Sequence, residues 1–349
     1  MSGKYRCLVL LLATGMLLSA CSPVSTPATE ELSEQVADDP GSLVIYSGRA
    51  ESLVGPIIQQ FADATGTDVQ VRYGSTTEIA AALLEEGQNS PADLFYAQDP
   101  GGLGAVEEAG LLAELPAEIL ERVSSTFASP SGKWVGVTAR ARVVAYNTDI
   151  LDPEDLPHDL SGFADPKWNG RIGIAPTNSS FLTMITGMRL LWGEAETRSW
   201  LEAIVANQPI YYENNTAIVA AVAAGEVEVG LVNHYYLHRF LAEEGESFPA
   251  RNYYMPSGGP GSMVMVSGVG ILANSDNQEN AQRFVEFMLS TVAQQYFAGQ
   301  TFEYPLVEGV AISSLLSPLS ELNAPEISLG DLADLEGTTE LLQEVGMLP

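Results

Sequence analysis

The chain has 349 residues, room for two lobes or one large domain, and carries 15 basic against 45 acidic residues for a formal net charge of −30. That balance argues against nucleic acid as a partner, because phosphate backbones are held by Lys and Arg, and it raises the local concentration of cations. The only cysteines are Cys7 and Cys21, too few for a thiolate metal site.

The chain opens with Lys4 and Arg6, followed by an almost unbroken apolar run over 7–18 that is too short for a permanent membrane anchor. Leu18-Ser19-Ala20-Cys21 follows, the pattern of a bacterial lipoprotein signal, so 1–20 is expected to be removed and Cys21 lipidated. The mature part would then hold no disulfide and would depend on core packing alone. Residues 22–41 are rich in Ser, Thr, Pro, Ala and acids with no apolar period, so 21–41 is expected to be a disordered tether. No later apolar stretch is long enough to span a bilayer, so the membrane is expected to be reached through lipid only, with the protein exported and held at the outer face of the cytoplasmic membrane.

Leu43-Val44-Ile45-Tyr46 predicts the first strand, closed by Ser47-Gly48. Leu53, Val54, Ile57, Ile58 and Phe61 recur at helical spacing between Pro56 near the start and Gly66 at the end. A strand over 69–73, a helix over 76–86, a strand over 93–96 and a short helix over 102–109 continue the alternation, which implies parallel strands in an α/β fold. Further on, 134–147 reads as extended, with Arg140 and Arg142 on one face by strand alternation. A strand over 171–175, a helix from about Phe181, a helix over 215–224, a buried strand over 227–232 and another over 263–272 follow. Helices over 277–289 and 291–299 precede an acidic, amphipathic C-terminal stretch. Crossover strands between two lobes are expected near 139–146 and 261–266. Ligands of open α/β sheets bind beyond the carboxyl ends of strands, which directs attention to 47–51, 96–101, 176–180 and 233–236.

These four segments carry a resemblance. Val44-Ile45-Tyr46-Ser47-Gly48-Arg49, Ser90-Pro91-Ala92-Asp93-Leu94-Phe95-Tyr96-Ala97-Gln98-Asp99, Thr138-Ala139-Arg140-Ala141-Arg142-Val143 and Val232-Asn233-His234-Tyr235-Tyr236 together resemble the ferric-ion-binding proteins of ATP-binding-cassette importers. That family is a branch of the type II periplasmic solute-binding proteins. The resemblance implies an α/β, two-lobed type II periplasmic-binding-protein fold with two hinge strands. Lobe 1 would comprise 42–141 plus 266–317 and lobe 2 would comprise 142–265 plus 318–349. It further implies a monomeric carrier that hands ferric iron, Fe3+, to a membrane permease served by its own ATPase.

Ferric ion is hard and highly charged, so it prefers anionic oxygen, and a bound cation can expel a phenol proton. By match to the family, Tyr235 and Tyr236 would be the metal ligands. Adjacent tyrosines also occur at Tyr211-Tyr212 and Tyr253-Tyr254; only Tyr235-Tyr236 follows a buried strand and opens a helix. Many members carry a histidine where this chain has Ala50 and a glutamate where it has Gln98. Glu51 and Gln98 stand as further metal contacts, although Glu51 also suits the first turn of a helix on electrostatic grounds alone. The family often holds carbonate or phosphate beside the iron. Asn178, Ser179 and Ser180 open a helix whose free amides attract an oxyanion. Asn215 and Asn233 match the same pocket, and Arg142 or Arg140 offers a bidentate grip. Should iron not be the ligand, the same Asn, Ser and Arg groups suit a phosphorylated organic solute such as a sugar phosphate or phosphonate.

Catalysis is not expected. The chain has no Gly-x-Ser-x-Gly elbow, no Ser-His-Asp spacing among its three histidines and no phosphate loop ending in Lys-Ser/Thr. His234 and His238 share a helix face, but Tyr235 stands where a metalloprotease motif requires Glu.

Overall fold

The computed structural model describes residues 40–349; the expected signal segment, Cys21 and nearly all of the expected tether lie outside the described residues. Among the described residues the strands are β1 (Ser42–Ser47), β2 (Asp68–Tyr73), β3 (Leu94–Ala97), β4 (Trp134–Asn147), β5 (Ile172–Ile174), β6 (Ile210–Tyr211), β7 (Val229–Asn233), β8 (Ala250–Tyr253), β9 (Val264–Ile271) and β10 (Tyr304–Pro305). The helices are α1 (Glu51–Thr65), α2 (Thr76–Glu86), α3 (Pro100–Glu108), α4 (Ala117–Leu120), α5 (Ser179–Trp192), α6 (Glu194–Ala206), α7 (Asn215–Ala223), α8 (Tyr235–Glu244), α9 (Gln278–Met288), α10 (Thr291–Tyr296) and α11 (Leu335–Glu344).

The strands run in the order β2-β1-β3-β9-β4-β7-β5-β6, with β8 and β10 also pairing with β4. β1 is parallel to both β2 and β3, and β5 is parallel to both β6 and β7. β4 joins the two groups. Its first part, through Ala141, pairs with β9, whereas Arg142 to Tyr146 pair with β7. The Arg142 amide donates to Met263 O at this handover, 2.9 Å away. The result is a mixed α/β fold of two lobes. Its buried apolar residues form two clusters, one built on β1, β3, β9, α1 and α9 and continuing into α7, β7 and α8, the other on β5, α5 and α6.

Local chemistry explains the elements. The apolar stripe of α1 is buried as Leu53, Val54, Ile57, Ile58 and Phe61. Ser75 and Glu78 form a reciprocal capping box at the start of α2. All fourteen residues of β4 are buried, so its two arginines sit in a strand that shows no polar face. Two features depart from the expected pattern. Helix α6 was not anticipated, although Thr197, Trp200, Leu201 and Ile204 bury one face. The expected helix over 291–299 is α-helical only to Tyr296 and continues as a π-helical turn over Phe297–Thr301. After 318 the chain serves both cores: Leu329 and Leu332 pack with the first, Leu341 and Leu342 with the second.

Candidate metal and anion site

The loops after β1, β3, β5 and β7 converge where the lobes meet. A cavity of about 590 Å³ opens there, lined by Gly48, Ser75, Gln98, Asn178, Ser179 and Tyr236, among others. It is bordered by the first turns of α1, α2, α5 and α7, whose amide ends carry partial positive charge. Gly48 permits the approach of α2: a Cβ there would lie 2.2 Å from Thr76 Oγ1 and 2.7 Å from Thr76 Cα. The Thr76 hydroxyl donates to Gly48 O and accepts from the Gln98 amide, which ties the first two loops together.

One hydrogen-bond network joins most of the residues singled out from the sequence. Gln98 Nε2 donates to Ser180 Oγ across the cleft at 2.6 Å, and Asn233 Nδ2 donates to the same oxygen at 3.0 Å. Arg142 Nη1 donates to Asn233 Oδ1 at 3.0 Å. The Asn233 amide donates to Asn215 Oδ1, and Asn215 Nδ2 donates to Asn178 Oδ1 at 3.1 Å. Asn178 also caps α5 by accepting from the Ser180 amide. Beside this network Thr183 Oγ1 donates to Asp99 Oδ1 at 2.9 Å, a second bond between the lobes.

Tyr235 and Tyr236 open α8, their rings stacked at 4.3 Å between centroids. Burial pushes the Tyr236 proton affinity well above that of a free phenol, and the neighbouring Tyr235 adds to it. The positive charges of Arg49 and Arg140 oppose this rise. Arg140 Nε, Nη1 and Nη2 and Arg142 Nε and Nη2 are buried with no hydrogen-bond partner among the described residues. Burial, and then the like charge of Arg140, bring the Arg142 guanidinium down to about 9. Two adjacent guanidinium groups of this kind have an evident chemical complement in an oxyanion. Among the described residues no group of three or more His, Cys, Asp and Glu side chains gathers. A hard cation held here would therefore depend on phenolate oxygen.

Glu51 stands apart from this cluster. It is exposed on the first turn of α1 and does not line the cavity; its Cγ lies 3.3 Å from the position a Cβ would take on Gly55. The other tyrosine pairs also lie elsewhere: Tyr211 is exposed on the edge strand β6, and Tyr254 lies beside Arg142 in a separate pocket of about 70 Å³. His234 accepts from the Ala141 amide through Nδ1 and meets Phe302 O through Nε2 at 2.9 Å, so both ring nitrogens are engaged by backbone. Two fully buried charged residues have no role assigned by the sequence pattern: Glu303 and Arg49, which pair with each other and reach the Tyr235 hydroxyl through Arg49. Arg49 had a visible signal, a charge directly after an apolar strand; Glu303 had only its place between Phe302 and Tyr304.

The fold and the cleft between its lobes define a solute-binding protein. Residues 56–319 match the family of bacterial extracellular solute-binding proteins, and the chain belongs to that family, whose members carry ligands and are not enzymes. It is 32% identical over 334 residues to the major ferric iron-binding protein of Neisseria meningitidis serogroup B, covering 95% of this chain and 97% of that one. Among solved structures it is similar to iron-bound HitA from Pseudomonas aeruginosa, with 37% identity, a TM-score of 0.84 and coverage of 88% of this chain and 100% of that one. It is also similar to a Trichodesmium IdiA (FutA) protein solved with iron and citrate, at 29% identity and a TM-score of 0.74, covering 88% and 99% of the two chains. Among the described residues no helix is long and apolar enough to cross a membrane.

Proposed function

We propose that this protein captures ferric iron, together with a small anion such as carbonate or phosphate, and delivers it to the permease of an ATP-binding-cassette importer. The observation that carries the reading is the stacked Tyr235-Tyr236 pair, buried at the lobe junction beside guanidinium nitrogens that have no hydrogen-bond partner among the described residues. The phenolates would ligate the metal, with Gln98 in reach of the same cleft. The anion would be held by Arg142 and Arg140 and by the network of Asn178, Ser180, Asn215 and Asn233, with the α5 amides at Ser179 and Ser180 adding their dipole. The ligand names of the similar proteins support this chemistry. For Glu51 a helix-terminus role fits its exposed position better than ligation.

The lobes would divide as 42–141 plus 266–317 and 142–265 plus 318–349, with β4 and β9 as hinge strands, and the monomer would close on its cargo. Export and a lipid at Cys21 would hold it at the outer face of the cytoplasmic membrane. A phosphorylated organic solute is the second reading. It is favoured by the amide at Gln98, by the absence of Glu51 from the cavity lining and by a volume far larger than a bare ion.

Titration of the purified protein with chelated ferric iron separates the two. Phenolate-to-iron charge transfer should give an orange to red colour, lost together with binding in Tyr235→Phe/Tyr236→Phe. A colourless wild type that gains thermal stability with a sugar phosphate would favour the second reading. Cys21→Ser should move the protein from the membrane to the soluble fraction; retention on the membrane would refute the lipid anchor.

A further inference from the structure

We propose that Arg49 and Glu303 form a charge-neutral clamp that sets the position and electron density of the Tyr235 phenol oxygen, which makes Arg49 a positioning residue of the site. The inference rests on the ferric reading above. Arg49 lies in the loop between β1 and α1, and both members of its ion pair are fully buried. Its Nη2 donates to Glu303 Oε2 at 2.6 Å, and its Nη1 donates to the Tyr235 hydroxyl oxygen at 3.4 Å. Glu303 is held in turn: Thr138 of β4 donates to Oε1 and Thr301 donates to Oε2, each at 2.9 Å. The chain brings Glu303 inward through the π-helical turn and through Phe302, a non-glycine residue at φ 57° in the left-handed region.

A buried ion pair adds little stability over a well-packed apolar pair, so stability alone gives weak reason for two charges at this place. Placement gives a stronger one. A guanidinium that donates to a phenolate oxygen orients it and draws density from it, and the carboxylate behind cancels a positive charge that would otherwise repel a trivalent cation. The clamp also reaches from one lobe to the tyrosine of the other, at a sequence separation of 186 residues.

The test uses the full chain and ferric nitrilotriacetate, with Arg49→Met/Glu303→Met to remove both charges without stranding either, and Arg49→Lys to keep the charge pair while losing the forked donor. The charge-transfer band should move to longer wavelength in both variants, further in the double one. Iron affinity measured by chelator competition should fall about tenfold or more in the double variant, while its melting temperature stays near that of the wild type or rises. A coloured wild type with band and affinity unchanged in both variants would overturn the clamp alone, since a purely structural pair would alter melting and leave the band in place. If the double variant does not fold, an unshifted band in Arg49→Lys overturns it. A colourless wild type would overturn the ferric reading and the clamp with it.

Discussion

Thr183→Val tests the bond that joins the two lobes beside the cleft. In the native protein the Thr183 hydroxyl donates to Asp99 Oδ1 at 2.9 Å; both residues are fully buried. The only other hydrogen bond to that carboxylate among the described residues is a long one from the Gly102 amide at 3.4 Å, and Asp99 Oδ2 has no partner. Removing the hydroxyl leaves a buried carboxylate with almost no hydrogen bonding, and a bond to such a group contributes roughly 1.5–3 kcal/mol. For a chain of this size about 2 °C of melting temperature accompanies each kcal/mol, so a fall of roughly 3–6 °C is expected. Because the bond spans from the start of α3 to α5, its loss should also weaken lobe contact and broaden the inter-lobe distance distribution of the ligand-free protein, measured by pulsed electron resonance between spin labels. Thr183→Ser keeps the donor and should restore both readings. Unchanged melting and distances in Thr183→Val would refute the reasoning, because they would mean that the carboxylate is satisfied in some other way.

Burial holds the His234 ring at about 3 and the His238 ring at about 4, both below the ordinary imidazole value of 6.5. Between pH 6.5 and 4 the unfolded chain binds protons that the fold refuses. Stability therefore falls as the pH falls, by up to about 1.4 kcal/mol per pH unit for each ring. Chemical denaturation of the ligand-free protein at pH 7 and pH 5 should show this loss, and His238→Gln should lessen it; equal stability at the two pH values would contradict it. Gly48→Ala places a Cβ 2.7 Å from Thr76 Cα and must displace the start of α2. A loss of about 1–3 kcal/mol and weakened ligand binding are expected, read by melting and by titration with chelated iron.

Much of this protein is legible in its sequence. The stripe from Leu53 to Phe61, the apolar strands and their turn residues report local burial, which depends only on periodicity along the chain. The alternation of strand and helix implies parallel pairing and places the functional loops at strand ends. Tyr235-Tyr236 stands out from two identical dipeptides by its strand-then-helix context, and the resemblance of four ordered segments names the family that the comparisons then show.

What remained hidden depends on which distant residues meet. Gln98 and Ser180 are 82 residues apart, and Arg49 and Glu303 are 254 apart; no local pattern reports such pairs. Their contact is created by sheet order and by the handover of β4 from β9 to β7. Strand alternation puts Arg140 and Arg142 on one face, but only the fold shows that this face is buried. Glu51, two residues beyond Arg49, illustrates the same limit. Both fall in the loop segment expected at the cleft, but α1 begins at Glu51 and leaves that side chain exposed, whereas Arg49, in the loop before it, is fully buried against Glu303. Chain order set the local elements and the chemical inventory; long-range packing decided which charges are buried and beside which groups, because burial of a charge is tolerated best where the fold brings a partner to it.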